Sequence, residues 1–137
     1  MVDAGRAAVR LKRLRDAIEL LEEVREGGLD AYLADPSVRA ATERWLELAV
    51  QICVDLGTQT ALEQRGAAPS NYAEVFTTLG KAGLIEMDLA ERLAEAAKQR
   101  NLLAHLYLDI DDKKVFESLS HLDDLRRFAS FVGEQLD

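Results

Sequence analysis

A chain of 137 residues can bury one hydrophobic core without disulfides or metals, and 48% apolar with 31% charged residues is the balance of a folded domain. Its formal charge of −8, from 25 acidic against 17 basic side chains, counts against a general nucleic-acid binder, which usually shows a basic stripe to neutralise phosphates. A nuclease with a small local site is not excluded. Cys53 is the only cysteine, so neither a disulfide framework nor a CxxC metal pair can form, and a reducing cytoplasm is the simplest compartment. The N-terminal stretch lacks the unbroken apolar core of a signal peptide, and no window is apolar for long enough to span a bilayer.

Hydrophobic spacing is helical nearly throughout. Ala7, Leu11, Leu14, Ile18 and Leu21 recur at steps of four and three, the seam of a long packed helix that ends at Gly27 and Gly28. Asp35-Pro36 reads as an N-cap followed by proline at the first helical position. Val38, Trp45, Leu48, Ile52 and Leu56 then mark the buried face of a second long helix, which ends near "EQRGAAPSN", or at Gly57 if that glycine breaks it. Ser70 and Asn71, with Glu74 beyond, cap a short third helix with a ragged end at Gly80 and Gly83. Asp88 and Glu91 open the next helix in capping-box fashion. A final helix from about Lys113 turns Val115, Leu119, Leu122, Leu125, Ala129 and Val132 inward. No strand alternation, repeat or linker interrupts this pattern. The expected fold is all-α: one domain over residues 1–137, an up-and-down bundle of four main helices plus a short fifth.

The fourth long helix carries the stretch "QRNLLAHLYLDID", residues 99–111, with one of two histidines in the chain. With Arg100 at the origin of a wheel advancing about 100° per residue, Asn101 falls near about 100°, His105 near about 140° and Tyr107 near about −20°. Leu102, Leu103, Leu106 and Ile110 group between roughly 200° and 300°, a core stripe opposite the polar arc. An imidazole titrates near neutral pH and moves protons both ways. A guanidinium holds a phosphate at two points and stabilises charge that develops on it. Asn101 can orient the imidazole or donate to the phosphate. RNA brings its own nucleophile, the 2′-hydroxyl, so one base and one phosphate clamp suffice without metal or cofactor. The same residues also fit a helix whose histidine merely answers the C-terminal dipole.

"RNLLAHLY" resembles the Arg-x4-His-x-Tyr motif of HepT-like toxins within the HEPN family. "ATERWLELAVQICVDLG" resembles that family's second long helix, and "APSNYAEVFTTLGKAGLI" the Pro-x-x-Tyr segment and glycine turn preceding the motif helix. The resemblance runs from about Tyr32 to Phe128. It implies a HEPN-like bundle and a toxin that cuts RNA without metal, with Arg100 and His105 as the ribonuclease residues and Asn101 supporting them. It also implies a homodimer whose two motifs face one cleft, and a nucleotidyltransferase antitoxin of the MNT type that silences the toxin by attaching AMP to Tyr107.

Several other residues carry weaker expectations. Glu43 and Arg44 match the family's second helix and suit a buried ion pair across the bundle at least as well as catalysis, while Asp55 could approach the motif helix. Asp109, Asp111 and Asp112 read as solvated carboxylates at a helix-end turn and not as a metal site. His121 is expected on the exposed or boundary face of the last helix, and Trp45 in the core or a dimer interface. The alternative function is a non-catalytic helical dimer that binds a nucleotide or the nucleotidyltransferase.

Overall fold

The computed structural model describes residues 4–65, 70–105 and 110–136, without the side chains of 65 and 101–105. Helices account for nearly all of it: α1 (Ala4–Gly27), α2 (Leu29–Ala34), α3 (Pro36–Arg65), α4 (Tyr72–Lys81), α5 (Met87–His105), α6 (Asp112–Ser118) and α7 (Leu122–Leu136), with one 3₁₀ turn at Leu119–His121. No strand occurs among the described residues. The long helices α1, α3, α5 and α7 make the expected all-α bundle, and α4 is the short companion. The small helix α2 was not expected, because one or two turns are too short to show a period, and α6 is the first part of the expected final helix.

The seam of α1 is buried as its spacing predicts: Ala7, Leu11, Leu14, Ala17, Ile18 and Leu21 are all in the core. Asp35 caps α3 by accepting from the N–H groups of Ser37 and Val38. The buried face of α3 differs from expectation. Leu46, Ala49, Val50, Cys53, Val54, Leu56 and Ala61 form it, while Val38, Trp45 and Ile52 are only partly buried against its flank. The predicted stripe followed the largest side chains; small and medium ones fill the core because α1, α4 and α5 all crowd onto α3. The 3₁₀ turn divides the expected final helix, yet Val115, Leu119, Leu122, Leu125, Ala129 and Val132 all stay buried.

Glycines set the spacing around α4. Helix α3 runs through Gly57 unbroken, and a Cβ there would come within 2.7 Å of Val75 Cγ1 on α4. A Cβ at Gly80 would meet Ala90 Cβ of α5 at 2.8 Å. The end of α4 is ordered and not ragged: Gly83, at φ +76°, donates to the carbonyl of Gly80, and Leu84 donates to that of Leu79, each at 3.0 Å. This is a Schellman closure with glycine in the left-handed position. At the other end Asn71 accepts from the Glu74 N–H at 2.9 Å, and the Glu74 carboxylate reaches back to Ser70. Helix α5 starts earlier than Asp88: Ala90 donates to the carbonyl of Glu86, so Asp88 lies within the first turn and accepts from Leu89.

Candidate functional site

Arg100 lies near the C-terminal end of α5, and the structure turns it differently from the wheel reading. Among the described side chains of α5, which end at Arg100, the buried ones are Leu89, Ala90, Leu93, Ala94 and Ala97. At about 100° per residue they span an arc from about −20° to about 120° around Arg100. Arg100 therefore stands at the edge of the core-facing stripe and not opposite it. Its side chain is only 18% exposed. The wheel was centred on the leucines after Arg100, whereas Leu89 and Leu93 with the alanines beside them set the packing of the helix.

Two neighbours hold the guanidinium. Its Nη2 is 3.8 Å from Glu47 Oε1 of α3, itself only 23% exposed. Its carbon sits 5.8 Å from the ring centroid of Tyr72, the first residue of α4, within range of a cation–π contact. Three helices thus converge on one cation. Tyr72 is the tyrosine of the Pro-x-x-Tyr segment, and Glu47 lies in the stretch that resembles the family's second long helix, but no sequence pattern assigned either a role beside Arg100. That role follows from how α3 and α4 meet α5.

Asn101 and His105 belong to the same continuous helix as Arg100, which is described as far as His105. Their side chains, and Tyr107 and Asp109 altogether, lie outside the described residues.

The remaining candidates separate. Arg44 is exposed and pairs along its own helix with Glu47 at 3.5 Å, so the Glu43–Arg44 pair across the bundle is not formed. Glu43 instead sits near Asp112 and Arg39; burial first, then Asp112, raises its carboxyl above the ordinary value. Arg39 bridges this region to α6 through Asp112 at 3.5 Å. Asp55 accepts from Gln51 Nε2 at 2.9 Å. Asp111 caps α6, accepting from the N–H groups of Lys113 and Lys114, as a carboxylate at a helix start does. Among the described residues no group of three or more His, Cys, Asp or Glu side chains is placed to hold a metal ion. Cys53 is buried, and desolvation pushes its thiol upward.

A groove of about 290 Å³ opens beside Arg100. Helix α5 packs chiefly on α4 and α3, whereas α7 packs chiefly on α1. Leu46 and Val50 of α3 and Arg100 of α5 line the groove. His121, exposed in the 3₁₀ turn, lines it as well. At the far end Arg92 Nε contacts both carboxylate oxygens of Asp124 at 3.0 Å, tying α5 to α7. A second groove, of about 400 Å³, lies between α1, α2 and α3 and takes in Leu20, Val38 and Trp45. No helix among the described residues is long and apolar enough to cross a membrane.

Comparison with known proteins agrees with this architecture. A tRNA nuclease HepT of Aphanizomenon flos-aquae is 30% identical over 125 residues, covering 91% of this chain and 84% of its own. An mRNA nuclease HepT of Shewanella oneidensis is 25% identical over 88 residues, covering 64% of this chain and 66% of its own. The solved structure of a tri-AMPylated Shewanella oneidensis HEPN toxin in complex with an MNT antitoxin superposes with a TM-score of 0.85 at 19% identity, over 98% of this chain and 99% of that one. The last likeness shows the shared fold. The family model described as Ribonuclease HepT-like matches residues 14–132, and the chain belongs to that family.

Proposed function

We propose that residues 1–137 form one HEPN domain, and that it is the toxin of a toxin–antitoxin pair, an endoribonuclease that cuts RNA without metal at a homodimer cleft. The observation that carries this reading is Arg100, gathered by Glu47 and Tyr72 to the mouth of a groove, five residues before His105 on one unbroken helix. The nuclease names of the two relatives support it.

In this mechanism Arg100 holds the scissile phosphate and offsets the charge that builds on its oxygens. His105 takes the proton of the ribose 2′-hydroxyl as that oxygen attacks phosphorus. The bond from phosphorus to the 5′-oxygen breaks, and the leaving oxygen is protonated by the imidazole of the second protomer or by water. The products are a 2′,3′-cyclic phosphate and a 5′-hydroxyl. Asn101 orients the imidazole or donates to the phosphate. A two-fold axis would bring two Arg100 side chains to one groove, which answers the acidity of the single chain.

Control falls to Tyr107 and an MNT-type nucleotidyltransferase. Transfer of AMP from a nucleoside triphosphate forms a bond from the tyrosine oxygen to the α-phosphorus and releases pyrophosphate. The added anion would lie about two helical turns from Arg100 if the helix continued to Tyr107, and would compete with RNA for it. The AMPylated state named for the Shewanella oneidensis toxin complex supports this assignment. Expression of the chain alone should arrest growth, with relief by His105→Ala or Arg100→Ala; arrest that survives both changes removes the site from the explanation.

A further inference from the structure

The groove between α5 and α7 is unassigned by the cleavage chemistry, which needs only Arg100 and the residues after it. We propose that it is a nucleoside subsite: the base of one RNA nucleotide enters the groove while the neighbouring phosphate rests on Arg100. The inference rests on the reading of Arg100 as the phosphate-holding residue.

Four features argue for this occupant. The groove is continuous with Arg100, which forms part of its wall, so a base and a phosphate of one nucleotide can be held together. Its volume of about 290 Å³ is at the small end of ligand pockets, enough for one nucleoside and too little for a helix. Its lining is mostly apolar, with Leu46, Val50, Leu93, Leu122 and Leu125 contributing, which suits the faces of a planar base. Polar side chains also line it, Glu95 and Gln99 from α5 and His121 from the 3₁₀ turn, and these can donate to and accept from base edges.

Local structure keeps the slot open. Ala96 is the α5 residue between Leu93 and Gln99, and its single methyl leaves the width that a larger side chain would take. The Arg92–Asp124 contact closes the far end, with Arg92 also held by Asp88 at 3.3 Å. A ligand is thereby stopped at one end and meets Arg100 at the other. His121, the histidine outside the motif, acts here as a positioning residue for the base and takes no part in proton transfer.

The test is a titration of the purified full chain with uridine and guanosine 5′-monophosphates and with ribose 5-phosphate, read by calorimetry. One nucleotide should bind about tenfold more tightly than ribose 5-phosphate, the increment that a held base typically adds. His121→Ala, at an exposed position, should reduce that increment, and Ala96→Phe should abolish it. Both variants should leave ribose 5-phosphate binding unchanged, which reports that the fold and Arg100 are intact. Equal binding of nucleotides and ribose 5-phosphate overturns the subsite, even where RNA cleavage persists. So does an Ala96→Phe variant that keeps the full increment, or one whose only change is a shift in sedimentation showing that a second copy covers the groove. Loss of RNA cleavage in Arg100→Ala is read separately and tests the nuclease reading alone.

Discussion

Glu47 Oε1 stands 3.8 Å from Arg100 Nη2, joining α3 to the motif end of α5. The carboxylate fixes the direction of the guanidinium, and it is also an anion that a phosphate must rival. Glu47→Gln should lower kcat by about tenfold to a hundredfold through loss of orientation, while KM stays level or falls. Thermal stability should barely move, since partly exposed ion pairs contribute about 0–1 kcal/mol. Steady-state kinetics beside a melting curve checks this. A large loss of melting temperature with kcat and KM unchanged would make Glu47 a structural residue only.

Gly57 and Gly27 should respond to alanine in opposite directions. At Gly57 the new Cβ meets Val75 Cγ1 at 2.7 Å. Overpacking of about 1–3 kcal/mol should outweigh the gain of about 1 kcal/mol in helix propensity. A net loss of about 1–2 kcal/mol is expected, partly recovered by adding Val75→Ala. At Gly27 nothing lies within 4 Å, and alanine should be neutral or stabilising by up to about 1 kcal/mol. Denaturant unfolding of the three variants decides it.

Tyr32 is 1% exposed, its ring 5.3 Å from that of Phe116, and its hydroxyl makes no hydrogen bond among the described residues. Burial first, then Asp112 and Glu43, pushes the phenol from 10.0 up to about 12. Ionisation is therefore harder in the folded state, so stability is retained below pH 10 and lost as pH rises from there toward 12. Tyr32→Phe should remove that alkaline loss and leave stability at neutral pH equal or higher, because an unmatched buried hydroxyl is costly. A pH series of melting temperatures is the check.

Glu43 gives a second pH signature, at the acidic side. Its carboxyl is raised above 4.5, so the folded state favours the neutral form, and stability is lost as pH rises through the folded value. Glu43→Gln should raise the melting temperature at about pH 7 and bring no gain at about pH 3, where both states of the wild type are already protonated.

Cys53 is fully enclosed, with its thiol shifted upward by burial. Thiol-specific alkylation should proceed only as fast as the chain opens, and nuclease activity should survive a brief treatment. Rapid labelling of native protein would contradict the packing described for α3.

The sequence carried the long helices plainly, because Leu11, Leu14, Ile18 and Leu21, and later Leu122, Leu125 and Val132, repeat a face over several turns. Caps at Asp35 and Asn71 were legible for the same reason: a side-chain oxygen at a helix start has one task. The α3 seam was misplaced because Trp45 and Ile52 outweigh Ala49 and Cys53 by size, although the small residues occupy the crossing. Gly57 was read as an alternative end of its helix, and Gly80 and Gly83 as a ragged one, yet close packing and a Schellman turn use them. Such roles depend on what stands opposite, which no local pattern records. For the proposed site, Arg100, His105 and Tyr107 were chosen by motif, while Glu47 and Tyr72 stood in family-like stretches without a role. Their approach to Arg100, beside a groove reaching His121, arises from separate helices meeting in space.

One measurement bears most directly on the central claim. Purified protein, free of partner and shown by mass to carry no AMP on Tyr107, is incubated with a defined RNA in EDTA beside His105→Ala and Arg100→Ala. The account predicts cleavage by the wild type, with 2′,3′-cyclic phosphate and 5′-hydroxyl ends, and its loss in both variants. Cleavage that persists in His105→Ala, or absence of cleavage by the unmodified wild type, would contradict it.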